Sequence, residues 1–279
     1  MYRLAAAAGA SPGWSRMTRV SPLDPDDAVS AARTDTDSPA RPVDPGLGLV
    51  VDPQPDDETC GPACLHAIYR YYGDDVPLTT IAAELRTLDR GGTLDVFLAN
   101  HALQRGYRVT LLTYNLELFD PTWFALPTEE IRARLRAQAA VKKGTRLQAA
   151  TSGYDEFLRL GGTLELRDLE PALLRKYLKR GIPVITGLSA TYLYRGARDI
   201  PETNQEDDVR GEPVGHFVVL TGYRKHPREV LIADPLRTNP LVESRYYAVK
   251  MHRLIGAILL GAVTYDANLV IVEPKSAPR

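Results

Sequence analysis

Cysteine is scarce in this chain: Cys60 and Cys64 are the only two among 279 residues. Four apart in a stretch that reads as helical, they are neighbours on a helix surface, but the backbone there is poorly placed for a disulfide. A disulfide-stapled scaffold is therefore excluded, and a reducing, cytoplasmic setting is expected. Net charge is nearly absent, at −1, so no global field draws the protein to nucleic acid or to an acidic membrane surface. Long apolar runs are absent as well. The closest, Leu254 to Val263, is interrupted by Gly256 and Gly261 and is too short to cross a bilayer. The run from Ala5 to Ala10 is too short and too weakly apolar for a secretory signal. Cys60, Cys64 and a distant histidine do not make a closed metal-ligand set, so no metal or other cofactor is expected. There is no Gly-x4-Gly-Lys-Ser/Thr stretch for a nucleotide, and no internal repeat.

With 44% hydrophobic and 25% charged residues, the chain has enough apolar side chains for the core of one globular domain. Residues 1–48 are rich in Ala, Pro, Ser, Asp and Arg and read as a disordered tail. A single domain is expected over 49–274, with a helical insert at 115–163. Helices are expected from Cys60, around Ile81 and Leu85, and from Leu94 to Ala102, the last capped by Thr93. Within the insert, Glu129–Lys143 and Leu147–Leu160 form a helical pair, and Leu169–Arg180 follows as a further helix. Short apolar runs at Tyr107–Tyr114, Ile182–Leu188, His216–Tyr223, Val230–Ala233 and Leu269–Val272 read as strands. Tyr246–Leu260 reads as a helix on the sheet, and Ser189–Val214 as a long surface loop of the kind that can cover an active site. Helices first and strands later argue for an α+β fold.

The chemistry centres on Gln54-Pro55-Asp56-Asp57-Glu58-Thr59-Cys60-Gly61-Pro62-Ala63-Cys64. Pro62 suits a first helical turn, and a cysteine delivered to a helix start feels the positive end of the dipole, which favours thiolate. Two buried small hydrophobic residues are the plain alternative, since free Cys is often buried. A nucleophilic thiol needs a base and a group to orient that base. His66, His101, His226 and His252 read as structural or solvated. His216 stands at the leading end of an otherwise apolar strand, and Asp234 ends the next one. A hairpin through Arg224 to Arg228 would bring both to one sheet edge. Taken alone, His216 equally fits a ring satisfied by a carbonyl, and Asp234 a turn cap before Pro235. Gln54, with the Cys60 N–H, offers donors for an oxyanion.

Together, Gln-x5-Cys-Gly-Pro-Ala, Gly-His-Phe-Val-Val-Leu-Thr-Gly-Tyr and Ala-Asp-Pro resemble the C39-like family of papain-like cysteine peptidases, which includes the peptidase domains of bacteriocin-exporting transporters. The resemblance implies a papain-like cysteine peptidase fold, an N-terminal helical lobe packed on a C-terminal antiparallel sheet. It also implies Cys60 as nucleophile, His216 as base and acid, Asp234 as orienter and Gln54 as oxyanion donor. Thr59 departs from the acidic residue that precedes the nucleophile in the transporter members. Gly91-Gly92 and Gly161-Gly162 read as turn punctuation, not cleavage sites. The expected activity is a soluble cysteine peptidase or amidohydrolase acting through a Cys-His-Asp triad and a thioester. A thiol-dependent acyltransferase and a non-catalytic peptide-binding module are the alternatives. The expected partner is a peptide or amide-containing substrate, with neither nucleic acid nor membrane.

Overall fold

In a computed structural model that describes residues 41–88, 91–201 and 203–275, the alternating apolar runs become strands of one sheet. In chain order these are β1 (Arg41–Pro42), β2 (Arg108–Thr113), β3 (Thr163–Glu165), β4 (Val184–Ser189), β5 (Asp199–Ile200), β6 (Gln205–Glu206), β7 (Gly215–Arg224), β8 (Glu229–Ala233), β9 (Tyr246–Lys250) and β10 (Asn268–Glu273). β5 and β6 form a small hairpin of their own, and the other eight lie in the order β1-β9-β8-β7-β4-β10-β2-β3. Pairing is antiparallel throughout that sheet except between β2 and β3.

The helices are α1 (Cys60–Tyr71), α2 (Leu78–Glu84), α3 (Asp95–Gln104), α4 (Thr128–Val141), α5 (Thr145–Arg159), α6 (Pro171–Leu178), α7 (Ala190–Tyr194) and α8 (Met251–Leu260). Successive strand residues point to opposite faces, and β7 shows the consequence. Phe217 and Val219 join a core with Ile68 of α1, Phe97 of α3 and Phe157 of α5, whereas Val218 and Leu220 join a second core with Leu174 of α6 and Leu254 of α8. Each such side chain, fully buried, contributes roughly 1.5–3 kcal/mol. The protein is thus α+β, with a helical lobe packed on a mainly antiparallel sheet and α6, α7 and α8 covering the opposite face. Leu135 of α4 and Phe157 of α5 lie in the lobe's core, so the helical pair at 128–159 shares that core.

The structure departs from the sequence reading in four places. Arg41 pairs with Ala248 and Pro42 with Tyr247, so the fold is already present at Arg41 instead of Leu49. Proline is tolerated there because β1 is an edge strand; residues 1–40 of the expected tail lie outside the described residues. Tyr246–Lys250 is strand and the helix begins only at Met251, in keeping with the aromatic and β-branched Tyr246, Tyr247 and Val249. Thr93 does not cap α3; its hydroxyl donates to the Arg86 carbonyl. The expected surface loop holds α7 and the β5–β6 hairpin. Among the described residues, no helix is long and apolar enough to cross a membrane.

Candidate active site

Cys60 is the first residue of α1. The amides at a helix start have no partner within the helix, and Pro62 contributes none, so the Cys60 and Gly61 N–H groups are not used by the helix itself. Ala63 is the first to close a turn, donating to the Thr59 carbonyl at 3.0 Å. Gly61 is required by packing: a Cβ there would meet the Thr93 and Leu98 side chains. Cys60 remains half-buried, while Cys64 is fully buried. The Cys64 thiol donates to the Phe217 carbonyl at 3.3 Å. Burial, then the neighbouring Cys60 and Asp234, push the Cys64 thiol well up, so it stays protonated in the core.

The β7–β8 hairpin delivers the other two groups. Its register pairs Val219 with Ala233, placing His216 at the start of β7 and Asp234 just past the end of β8 on the same edge. His216 Nε2 lies 2.8 Å from Asp234 Oδ1, and Cys60 is near enough to help raise the pKa of the same imidazole. With Nε2 committed to the carboxylate, Nδ1 is the nitrogen left for the thiol. Burial alone would lower the His216 pKa, but the charge and hydrogen bond of Asp234, then Cys60, raise it to about 10. Burial would push Asp234 up, yet His216, then Tyr194 and the Leu236 N–H, hold it below the ordinary carboxylate value.

Asp234 is completely buried, a costly place for a lone carboxylate. Donors surround it. Oδ1 takes the His216 ring and the Leu236 N–H at 2.9 Å. Oδ2 takes the hydroxyls of Tyr194 at 2.6 Å and Tyr247 at 2.7 Å, and the Asn239 amide at 3.1 Å. These three side chains were not found from sequence. They come from α7, β9 and the loop after β8, and no spacing rule links them to Asp234.

Gln54 is buried in the loop ahead of Cys60. Its Nε2 donates to the Asp56 carbonyl at 2.8 Å, and Oε1 has no hydrogen-bond partner among the described residues. One N–H of that amide is therefore engaged locally, and the amide has one further donor. The other histidines lie apart from this group. His101 bridges the Tyr69 hydroxyl at 2.7 Å and Glu84 at 3.0 Å. His66 is buried 3.5 Å from Asp52; burial lowers its pKa.

Cys60, Gly215 and Phe217 line a cleft of about 1390 Å³. Its walls come from residues 56–58, from 86–88 and 91–93, from the start of α5, and from the segment between α7 and β7. Asp266 lies in the same lining, and burial raises its carboxyl to about 6. Among the described residues there is no His, Cys, Asp or Glu grouping that could hold a metal. What remains is a thiol lining a cleft with a buried imidazole–carboxylate pair close behind it, an arrangement suited to nucleophilic attack on a carbonyl.

Residues 161–253, which include His216 and Asp234 but not Cys60 or Gln54, match the model of the Peptidase_C39 like family. The resemblance drawn from the residues is borne out by this match, which supports a peptidase function. No curated protein matches the chain. Among solved structures, a Bacillus anthracis protein described as a C39-like peptidase superposes with a TM-score of 0.45 at 15% identity, covering 84% of this chain and 100% of its own. The peptidase domain of Streptococcus ComA, a bifunctional ABC transporter involved in quorum sensing, gives 0.40 at 13% identity, covering 81% of this chain and 99% of its own.

Proposed function

We propose that this chain, C39-like over residues 161–253, is a cysteine peptidase or amidohydrolase that cleaves a peptide or other amide bond through Cys60. The observation that carries the reading is the 2.8 Å pairing of His216 Nε2 with the buried Asp234, with Cys60 at the head of α1 lining the adjoining cleft.

In this reading His216 holds the thiol proton and Cys60 Sγ attacks the carbonyl carbon. The oxyanion that forms is met by the Cys60 N–H and by the further N–H of the Gln54 amide. His216 returns the proton to the leaving nitrogen as the C–N bond breaks, leaving a thioester on Cys60. Water, deprotonated by His216, then releases the acid and regenerates the thiol. Asp234 keeps the imidazole oriented and balances its charge. The two free thiols suit a reducing, cytoplasmic setting, and the substrate is a peptide or amide, not nucleic acid or lipid.

A second reading has one observation in its favour. Asn204, on the segment between α7 and β7, donates to Asp57 at 3.1 Å, and both residues line the cleft. A wall fastened there would shield a thioester from water and favour transfer of the acyl group to an amine.

The test is incubation of the parent and of Cys60→Ala with a defined peptide mixture, with and without an added amine, read by mass spectrometry. New termini with the parent alone are expected. Cleavage by Cys60→Ala at the parental rate would overturn the proposal, and amine adducts in place of acids would select the transferase.

A further inference from the structure

We infer that Tyr194 and Tyr247 are positioning residues of this site, holding the Asp234 carboxylate turned toward His216, and that Tyr194 makes that alignment depend on the segment walling the cleft. The inference rests on the peptidase reading above and adds a form of regulation to it.

The geometry assigns the two oxygens of Asp234 different tasks. Oδ1 faces His216, and Oδ2 is held by two hydroxyls and an amide. A carboxylate rotates about its Cβ–Cγ bond, so whatever fixes Oδ2 also fixes where Oδ1 points. Both hydroxyls act as donors over the working range, because burial and Asp234 push their pKa values well up. Hydrogen bonds to a charged acceptor are stronger than neutral ones, and here they replace the water that a buried carboxylate has lost.

The two tyrosines differ in what carries them. Tyr247 is fully buried on β9, in the middle of the β8 pairing. Tyr194 is the last residue of α7, and Arg195 after it turns the chain through a left-handed conformation at φ 55°. The chain then runs along the cleft to Val214, whose carbonyl accepts from the Ala190 N–H at 2.9 Å. Tyr194 also lies against the His216 ring, with centroids 6.2 Å apart. Both ends of this segment, and its contact at Asp57, therefore bear on the site. A substrate that displaces the wall would move α7 and, through Tyr194, the Asp234–His216 pair.

The reactivity of Cys60 toward iodoacetamide reads this alignment without knowing the substrate. The ionisable groups facing the pair are Cys60, Cys64, Asp266, Tyr194 and Tyr247. Cys60 alkylation is measured by peptide mapping at pH 6 and pH 9.5 in the full chain, for the parent, Tyr194→Phe, Tyr247→Phe, the double variant and His216→Ala. Each tyrosine variant is expected to lower the ratio of the pH 6 rate to the pH 9.5 rate on the order of tenfold, the size of one charge-assisted hydrogen bond. An unchanged ratio, even with a lowered melting temperature, overturns the inference. If His216→Ala matches the parent at pH 6, the peptidase reading itself fails; if it is slower but the tyrosine variants are parental, only this inference fails. Should Tyr247→Phe not fold, the half-buried Tyr194 decides. A second measurement needs no variant: the two hydroxyl protons are expected as downfield, exchange-protected proton resonances at pH 7, and their absence overturns the arrangement.

Discussion

The Gln54 backbone N–H donates to the Pro235 carbonyl at 2.8 Å, so the loop that precedes Cys60 is fastened to the turn that follows Asp234. Arg237 adds to the tie, its guanidinium donating to the Pro55 carbonyl at 3.0 Å and to that of Gln54 at 3.4 Å. Two parts of the site that are distant in sequence are thereby held as one unit. The position of Gln54 relative to Cys60 is set by the sheet as well as by its own loop.

That placement gives the first prediction. If the Gln54 amide donates to the oxyanion, Gln54→Ala lowers kcat on the order of a hundredfold, the usual effect of losing one such donor, with KM changed less than about threefold. Steady-state kinetics on any peptide cleaved by the parent checks it. A rise in KM with kcat intact would contradict the assigned role. Stability should fall by about 1 kcal/mol, because the Nε2 bond to the Asp56 carbonyl is lost.

His216 makes the fold sensitive to alkali. Its pKa is raised from the ordinary 6.5 to about 10, so the stabilisation it brings is complete below about 6.5 and is lost as pH rises toward about 10. The melting temperature of the parent, compared with that of His216→Gln, should show a difference that is constant below pH 6.5 and shrinks between there and pH 10. A difference that grows with pH would contradict the pairing with Asp234.

Asp95 also costs stability as pH rises, in a lower window. It is buried at the start of α3, and burial first, then Asp266, raise its carboxyl from 3.8 to about 7. The unfolded chain releases this proton near pH 4 and the folded protein keeps it to about pH 7, so stability is lost through that window. Asp95→Asn should raise the melting temperature at pH 8 and leave it nearly unchanged at pH 4, with about 2–4 °C for each kcal/mol recovered.

Gly215 sits where a Cβ would overlap the Asp266 carboxylate and the Thr264 hydroxyl. Gly215→Ala should cost about 1–3 kcal/mol through overpacking and, being next to His216, should lower turnover as well. Combining it with Asp266→Ala should restore much of the stability, since the two positions touch and their effects are not additive. Denaturant melts of both single variants and the double variant measure the coupling.

Much of the fold was legible because strand and helix periodicities survive burial. The short apolar run at Phe217, Val218, Val219 and Leu220 gave β7. Tyr246–Leu260 misled because apolar residues stand on both sides of Lys250, His252 and Arg253, and only pairing with β8 divides strand from helix. At the site, Cys60, His216 and Asp234 stood out because a polar group at the end of an apolar element requires a reason. Tyr194, Tyr247 and Asn239 did not. A tyrosine among apolar neighbours reads as core, and which carboxylate its hydroxyl meets is decided by tertiary packing.

The most direct measurement of the central claim is the rate at which iodoacetamide modifies Cys60 at pH 6 in the parent and in His216→Ala, resolved from Cys64 by peptide mapping. A thiol whose proton is held by His216 reacts readily there, so the parent should be modified at Cys60 alone and the variant more than tenfold more slowly, the thiolate being the reactive form. Equal, slow modification of Cys60 in both proteins would contradict the account.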